Sequence, residues 1–187
     1  YMCIAKDRLV KVPQTLDPDI TVCLSETYLS AFQALHLGQR GAMRYRNNSL
    51  KGQSILVMGG YSSLGRALIE LALAGGADFC YASAKGRQFE SISRIGAIPL
   101  SRDPQDWLTL IGRQIGTIVT VKDGGLYTEQ ITKEHLKALN ADGQVVFIGQ
   151  PGVDNSIPES SPSPAKLMCK SHRSKLSDRS QSYNVFD

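Results

Sequence analysis

Apolar positions in this chain fall into short runs, each closed by a polar or glycine-bearing turn and followed by apolar residues at helical spacing. Ile55 to Met58 is a short run that reads as a buried strand, and an amphipathic helix follows the turn after it. Phe79 to Ala82 reads as a second strand, after which Gln88 to Arg94 carries Phe89 and Ile92 at helical spacing. Ala97 to Leu100 is a third. It ends in Ser101-Arg102-Asp103-Pro104, where the proline suits the first turn of a helix with Trp107, Leu108 and Ile111 as its apolar stripe. The β-branched run Thr117 to Val121 is the fourth strand. Thr132 to Leu139 reads as helical, Asn140-Ala141-Asp142-Gly143 stops it, and Gln144 to Ile148 is the fifth strand. This alternation predicts an α/β fold, a Rossmann-like doubly wound parallel sheet with helices on both faces.

The flanks differ in character. Residues 1–50 hold the run Val10 to Val12, a turn region from Pro13 to Pro18, and a helix around Thr27 to Leu37. Tyr28, Phe32 and Trp107 fall on apolar helix faces and read as core. Residues 152–182 are rich in Ser and Pro and poor in apolar side chains, which reads as a long loop or disordered insert. Ser182 to Phe186 reads as a sixth, final strand.

Composition narrows the function classes. A length of 187 residues suits one full domain and not two large ones. Hydrophobic and charged shares of 42% and 20% are ordinary for a soluble globular protein, and a cytoplasmic one is expected. The net charge of +4 is mildly basic, and Lys166, Lys170, Arg173, Lys175 and Arg179 form no stripe interleaved with aromatics, so no nucleic-acid partner is expected. Cys3, Cys23, Cys80 and Cys169 lie far apart without a C-x-x-C pair, which argues for reduced thiols over a metal site or disulfide scaffold. No apolar run approaches bilayer-spanning length and no basic-then-apolar leader opens the chain, so no membrane role is expected. The start at Tyr1 is expected to mark a fragment or processed product.

The chemistry sits in the first strand-to-helix turn. Gly59, Ser62 and Gly65 give G-x-x-S-x-x-G, with Ser63 and Leu64 between the last two. In a dinucleotide-binding turn of this layout, a pyrophosphate rests on the exposed N–H groups and positive dipole of a helix start. Gly59 allows the tight turn and Gly65 lets the helix pack close to the strand. Ser62 puts a Cβ and a hydroxyl where a phosphate oxygen would approach; the hydroxyl either donates to that oxygen or its bulk holds it off. Tyr61 either lies across the site or faces solvent. Gly60 to Ala67 also reads G-x-x-x-x-G-R-A, but a P-loop needs a Lys on the phosphates and a hydroxyl for magnesium, and Arg66 and Ala67 supply neither.

After the second strand, Ser83, Lys85 and Arg87 stand where an NAD site would carry an acidic residue for the ribose hydroxyls. A hydroxyl with cations suits a 2′-phosphate, so NADP(H) is the expected cofactor. Val121 and its neighbour Lys122 end the fourth strand and are further candidates in the crevice at the carboxyl ends of the strands. His36, His135 and His172 are isolated from any carboxylate or cysteine at metal or triad spacing, so none is assigned a catalytic or metal-binding role.

Three ordered stretches carry a family resemblance. The first is Leu9-Val-Lys-Val-Pro-Gln-Thr-Leu-Asp-Pro with Tyr28-Leu-Ser-Ala-Phe-Gln-Ala-Leu-His; the second runs from Leu50 through Gly65; the third is Leu139-Asn-Ala-Asp-Gly-Gln-Val-Val-Phe-Ile-Gly. In this order and spacing they resemble the cofactor domain of the medium-chain dehydrogenase/reductase superfamily, in its zinc-free quinone-reductase and enoyl-reductase-like branch. The resemblance implies strand order 3-2-1-4-5-6, an NADP(H) cofactor without zinc, and hydride transfer to a quinone, enone or enoyl double bond. It implies that Ser30, Ile148, Gly149 and Gln150 lie near the nicotinamide, although Ser30 is equally readable as a backbone-bonded core serine. It divides the chain into a remnant of an N-terminal catalytic domain (1–14), the Rossmann domain (15–151), the Ser/Pro-rich insert (152–180) and a truncated sixth strand (181–187). The partners it implies are the missing catalytic domain and a second copy paired through the sixth-strand edge. No acid or base is assigned, and the isolated chain is expected to be inactive. The alternatives are a non-catalytic Rossmann scaffold whose serine-bearing turn has weakened or lost cofactor binding, and the enoyl-reductase unit of a multidomain synthase.

Overall fold

The computed structural model describes residues 3, 5, 6, 9, 11–36, 49–112, 114–122, 131–149 and 166–171. Its first helix, α1 (Pro18–His36), starts where the sequence supplies both a cap and a breaker: the Asp17 carboxylate accepts from the Asp19 N–H at 2.8 Å, and Pro18 fills the first helical position. The alternating elements follow as β1 (Ser54–Met58), α2 (Ser63–Ala74), β2 (Phe79–Ala84), α3 (Phe89–Arg94), β3 (Ile98–Ser101), α4 (Leu108–Ile111), β4 (Ile115–Lys122), α5 (Lys133–Lys137), β5 (Leu139–Gly149) and β6 (Lys166–Ser171). Short 3₁₀ turns at Gly86–Gln88 and Pro104–Asp106 lead into α3 and α4. At the second, Asp103 accepts from the Gln105 N–H at 3.0 Å and Pro104 sits at the start.

The six strands form one sheet in the order β3-β2-β1-β4-β5-β6, and every neighbouring pair is parallel. That is the expected order. Strands paired in parallel must be joined by crossovers that cover the sheet, and the side chains of β1 show the covering on both sides. Ile55 and Val57 enter one core with α1, α2 and α3, while Leu56 and Met58 enter the other with α4 and α5. Trp107 is buried in the second core, and its indole N–H donates to the Ser101 carbonyl at 2.9 Å. Tyr28 is partly buried against the first core, and its hydroxyl bonds the Glu70 carboxylate, tying α1 to α2. Phe32 stands beside His36 with ring centroids 4.4 Å apart.

Three features depart from the expected outline. Leu139 belongs to β5 instead of ending the preceding helix, and pairs with Ile115. The ladder resumes only at Thr117 with Gln144, so the stretch Asn140–Gly143 expected as a helix stop is an excursion within β5. The sixth place in the sheet is filled by Lys166–Ser171, paired with Gln144–Gly149, inside the segment read as a loop or insert. The strand expected at 181–187 lies outside the described residues.

Candidate dinucleotide site

The sheet order reverses direction at β1 and β4, whose pairing registers Ile55–Met58 with Thr117–Thr120. In open α/β sheets, a crevice at the carboxyl ends of the strands at such a switch is where ligands bind. The turn between β1 and α2 stands at this place. Gly59 takes a left-handed backbone, φ +76°, that turns the chain sharply out of the strand. The next two glycines are demanded by space. A Cβ on Gly60 would stand 2.6 Å from the Ala82 Cβ, and one on Gly65 would stand 2.4 Å from the Gly59 carbonyl oxygen and 2.8 Å from the Gly60 Cα. Helix α2 therefore rests its first turn directly on the backbone of the turn.

Ser62 is the N-cap of α2. Its backbone is extended, and its Oγ accepts from the Gly65 N–H at 3.0 Å while donating to the Gly59 carbonyl at 2.9 Å. The Arg66 N–H bonds the Ser62 carbonyl at 2.9 Å. Of the N–H groups that a helix start leaves without intrahelical partners, those of Ser63 and Leu64 therefore stay open among the described residues. Ser63 is exposed and Leu64 half-buried, so both amides lie at the surface end of a 12-residue helix dipole.

Ser83 occupies a different place from the one its sequence position suggests. It is 1% exposed, and its hydroxyl accepts from the Gly59 N–H at 3.0 Å while its carbonyl accepts from the Gly60 N–H at 3.2 Å. On a strand buried along both faces, these two bonds to the turn are what hold Ser83 inward. It braces the turn and offers no exposed hydroxyl for a 2′-phosphate. Lys85 and Arg87 are exposed just past β2, where the Lys85 N–H donates to the Gln88 side chain at 3.0 Å.

The remaining candidates form a second group. Val121 pairs with Ile148, and Lys122 with Gly149, at the carboxyl ends of β4 and β5. Ile148 is buried. Ser30 is buried on α1, which packs against α2 and β5. Gln150 lies outside the described residues. The structure thus gathers Gly59, Ser62, Gly65 and Ser83 into one hydrogen-bonded unit that leaves the Ser63 and Leu64 amides open, with Lys85 and Arg87 at its β2 side.

Sequence reasoning passed over the structural part of Gly60, although its adjacency to Gly59 was a signal. It also passed over Arg66, whose guanidinium lies 5.3 Å from the Tyr61 ring centroid and donates to the Ser91 Oγ at 2.6 Å. No spacing rule relates Arg66 to Ser91 on another helix. Among the described residues no cluster of His, Cys, Asp and Glu could hold a metal ion, and no helix is long and apolar enough to cross a membrane. Burial in the first core pushes the Cys80 thiol up to about 12, which keeps it protonated and unreactive near neutral pH.

Comparison with solved structures agrees with this architecture. The quinone oxidoreductase of Thermus thermophilus, described in its structure as a complex with NADPH, superposes with a TM-score of 0.65 at 20% identity, covering 92% of this chain and 52% of that one. A probable oxidoreductase from Mycobacterium abscessus gives 0.60 at 19% identity, covering 89% of this chain and 48% of the other. The CurK enoyl reductase gives 0.58 at 20% identity, covering 79% and 42%. No protein-family model matches the chain, and no curated protein matches its sequence. The chain therefore shares the Rossmann-like fold of these oxidoreductase structures and spans about half their length or less.

Proposed function

We propose that this chain is the cofactor-binding half of an NADP(H)-dependent, zinc-independent reductase of the medium-chain type, acting on a quinone or on an enone or enoyl double bond. The observation that carries the reading is the turn from Gly59 to Gly65, with its open Ser63 and Leu64 amides at the central crevice of the sheet. The residues fit a dinucleotide. The Ser63 and Leu64 N–H groups would donate to the pyrophosphate, and Lys85 and Arg87 would neutralise a 2′-phosphate. The backbone of Ile148 and Gly149, with Ser30, would border the nicotinamide. The nicotinamide itself supplies the hydride chemistry when bound; this chain's residues bind and orient it. A catalytic domain joined to this one would supply the rest of the substrate site, so the isolated chain is expected to bind without turning over.

One contact favours a second reading. The Ser62 hydroxyl already holds the Gly65 N–H, which removes a donor that a bare glycine turn would offer. On this reading the chain is a non-catalytic scaffold with weakened cofactor binding. Fluorescence titration with NADPH and NADH separates the two. Micromolar binding with a preference for NADPH supports the reductase, whereas no binding of either, by this chain or by a longer protein containing it, supports the scaffold.

A further inference from the structure

Arg66 is held in an unusual way for an exposed cation. The Tyr61 ring lies beneath its guanidinium at 5.3 Å and the Ser91 hydroxyl takes one of its N–H groups at 2.6 Å, which fixes the fork between the first turns of α2 and α3. Neither contact neutralises the charge. The carboxylate beside Ser91, Glu90, is bonded to Arg94 at 2.5 Å, and no ion pair to Arg66 occurs among the described residues. Arg87 lies in the 3₁₀ turn Gly86–Gln88 that leads directly into α3, four residues before Ser91. Lys85 precedes them at the exit of β2. The result is a hydroxyl bonded to one guanidinium, on the helical stretch that carries Arg87, beside a turn whose own serine, Ser83, is tied to the Gly59 N–H.

We propose that Arg66, positioned by Tyr61 and Ser91, is a specificity-determining residue that binds the adenosine 2′-phosphate together with Arg87. The proposal rests on the dinucleotide reading above. A phosphate monoester matches the planar fork of an arginine better than a hydroxyl pair does, because it accepts bidentate, charge-assisted hydrogen bonds. The Ser91 hydroxyl then takes the part that Ser83 cannot.

The test is calorimetric titration of the chain with adenosine 2′,5′-bisphosphate and with adenosine 5′-monophosphate, for the wild type, Arg66→Met, Arg66→Lys and Ser91→Ala. The wild type is expected to prefer the bisphosphate. Arg66→Met should weaken the bisphosphate about tenfold or more, the usual scale for losing a charged hydrogen bond, and leave the monophosphate unchanged. Arg66→Lys should keep part of the preference, and Ser91→Ala should weaken the bisphosphate by less. An unchanged ratio of the two affinities in Arg66→Met overturns the proposal and leaves the dinucleotide reading standing, as does equal weakening of both ligands. Binding of neither nucleotide by the wild type overturns both.

Discussion

On the face of the sheet covered by α1, α2 and α3, the buried side chains run to alanine: Ala31, Ala34, Ala67, Ala72, Ala82 and Ala84 stand among the aliphatics. On the opposite face Trp107, Phe147, Tyr81 and Met58 fill the space against two short helices, α4 of 4 residues and α5 of 5. The difference follows from what each face must do. The first carries the Gly59–Gly65 turn, on which α2 rests directly, and backbone can approach backbone only where side chains are small. The Gly65 contacts with Gly59 and Gly60 are the extreme of that trend. Among the described residues the second face shows no such close backbone contact with a helix, and bulky residues fill the volume that its short helices leave.

If the faces divide stability from binding, damage to each should read out differently. The largest expected effect is on the bulky face: Trp107→Ala should cost about 4 kcal/mol in urea denaturation, the range for emptying a buried aromatic site, while the folded fraction keeps its nucleotide affinity. Gly65→Ala should cost less in stability, about 2 kcal/mol for a methyl forced onto backbone, yet abolish nucleotide binding by lifting α2 off the turn. Preserved binding in Gly65→Ala would break the comparison. Ser62→Ala should lose about 1 kcal/mol with the cap. Ser62→Gly should lose only a few tenths and expose the Gly65 N–H, so NADPH affinity rises if the serine obstructs and falls if its hydroxyl donates.

The smallest effect at neutral pH concerns one buried histidine near each core. Burial holds His36 below its ordinary value of 6.5, and burial does the same for His135, offset in part by the charges of Glu134 and Asp103. His135 stays neutral with Nδ1 accepting from the Thr132 N–H at 3.2 Å. The unfolded chain therefore binds protons that the folded one refuses. Stability is full above pH 6.5 and falls as the pH drops from there toward the lowered folded values. His135→Asn, which keeps an acceptor for Thr132, should flatten that decline without removing it; an unaltered pH profile would show that His135 binds its proton equally in the folded and unfolded chain.

The order of the inner strands was legible because β1, β2, β4 and the Val145–Ile148 part of β5 are buried on both faces and read as apolar runs between turns. The same two-sided burial hid the direction of Ser83: in a strand with no polar face, alternation does not announce where a lone hydroxyl points. The strand Lys166–Ser171 was hidden by its surroundings, since its apolar residues Leu167 and Met168 are set among lysines in a Ser/Pro-rich stretch. At the site, the glycines and the capping serine were legible from local spacing, whereas the Arg66 to Ser91 bond joins two helices far apart in sequence and left no local trace.

The hydrogen bonds from the Gly59 and Gly60 amides to Ser83 have a consequence for synthesis. The strand, turn and helix of residues 54–74 look like a self-contained motif, but two of the turn's amides find their partners on β2, 24 residues beyond Gly59. Closing that loop has an entropic cost that local contacts do not offset. A nascent chain released from the ribosome only as far as the end of α2 would therefore hold an unfinished turn, and competence to bind an anion would arrive when β2 docks.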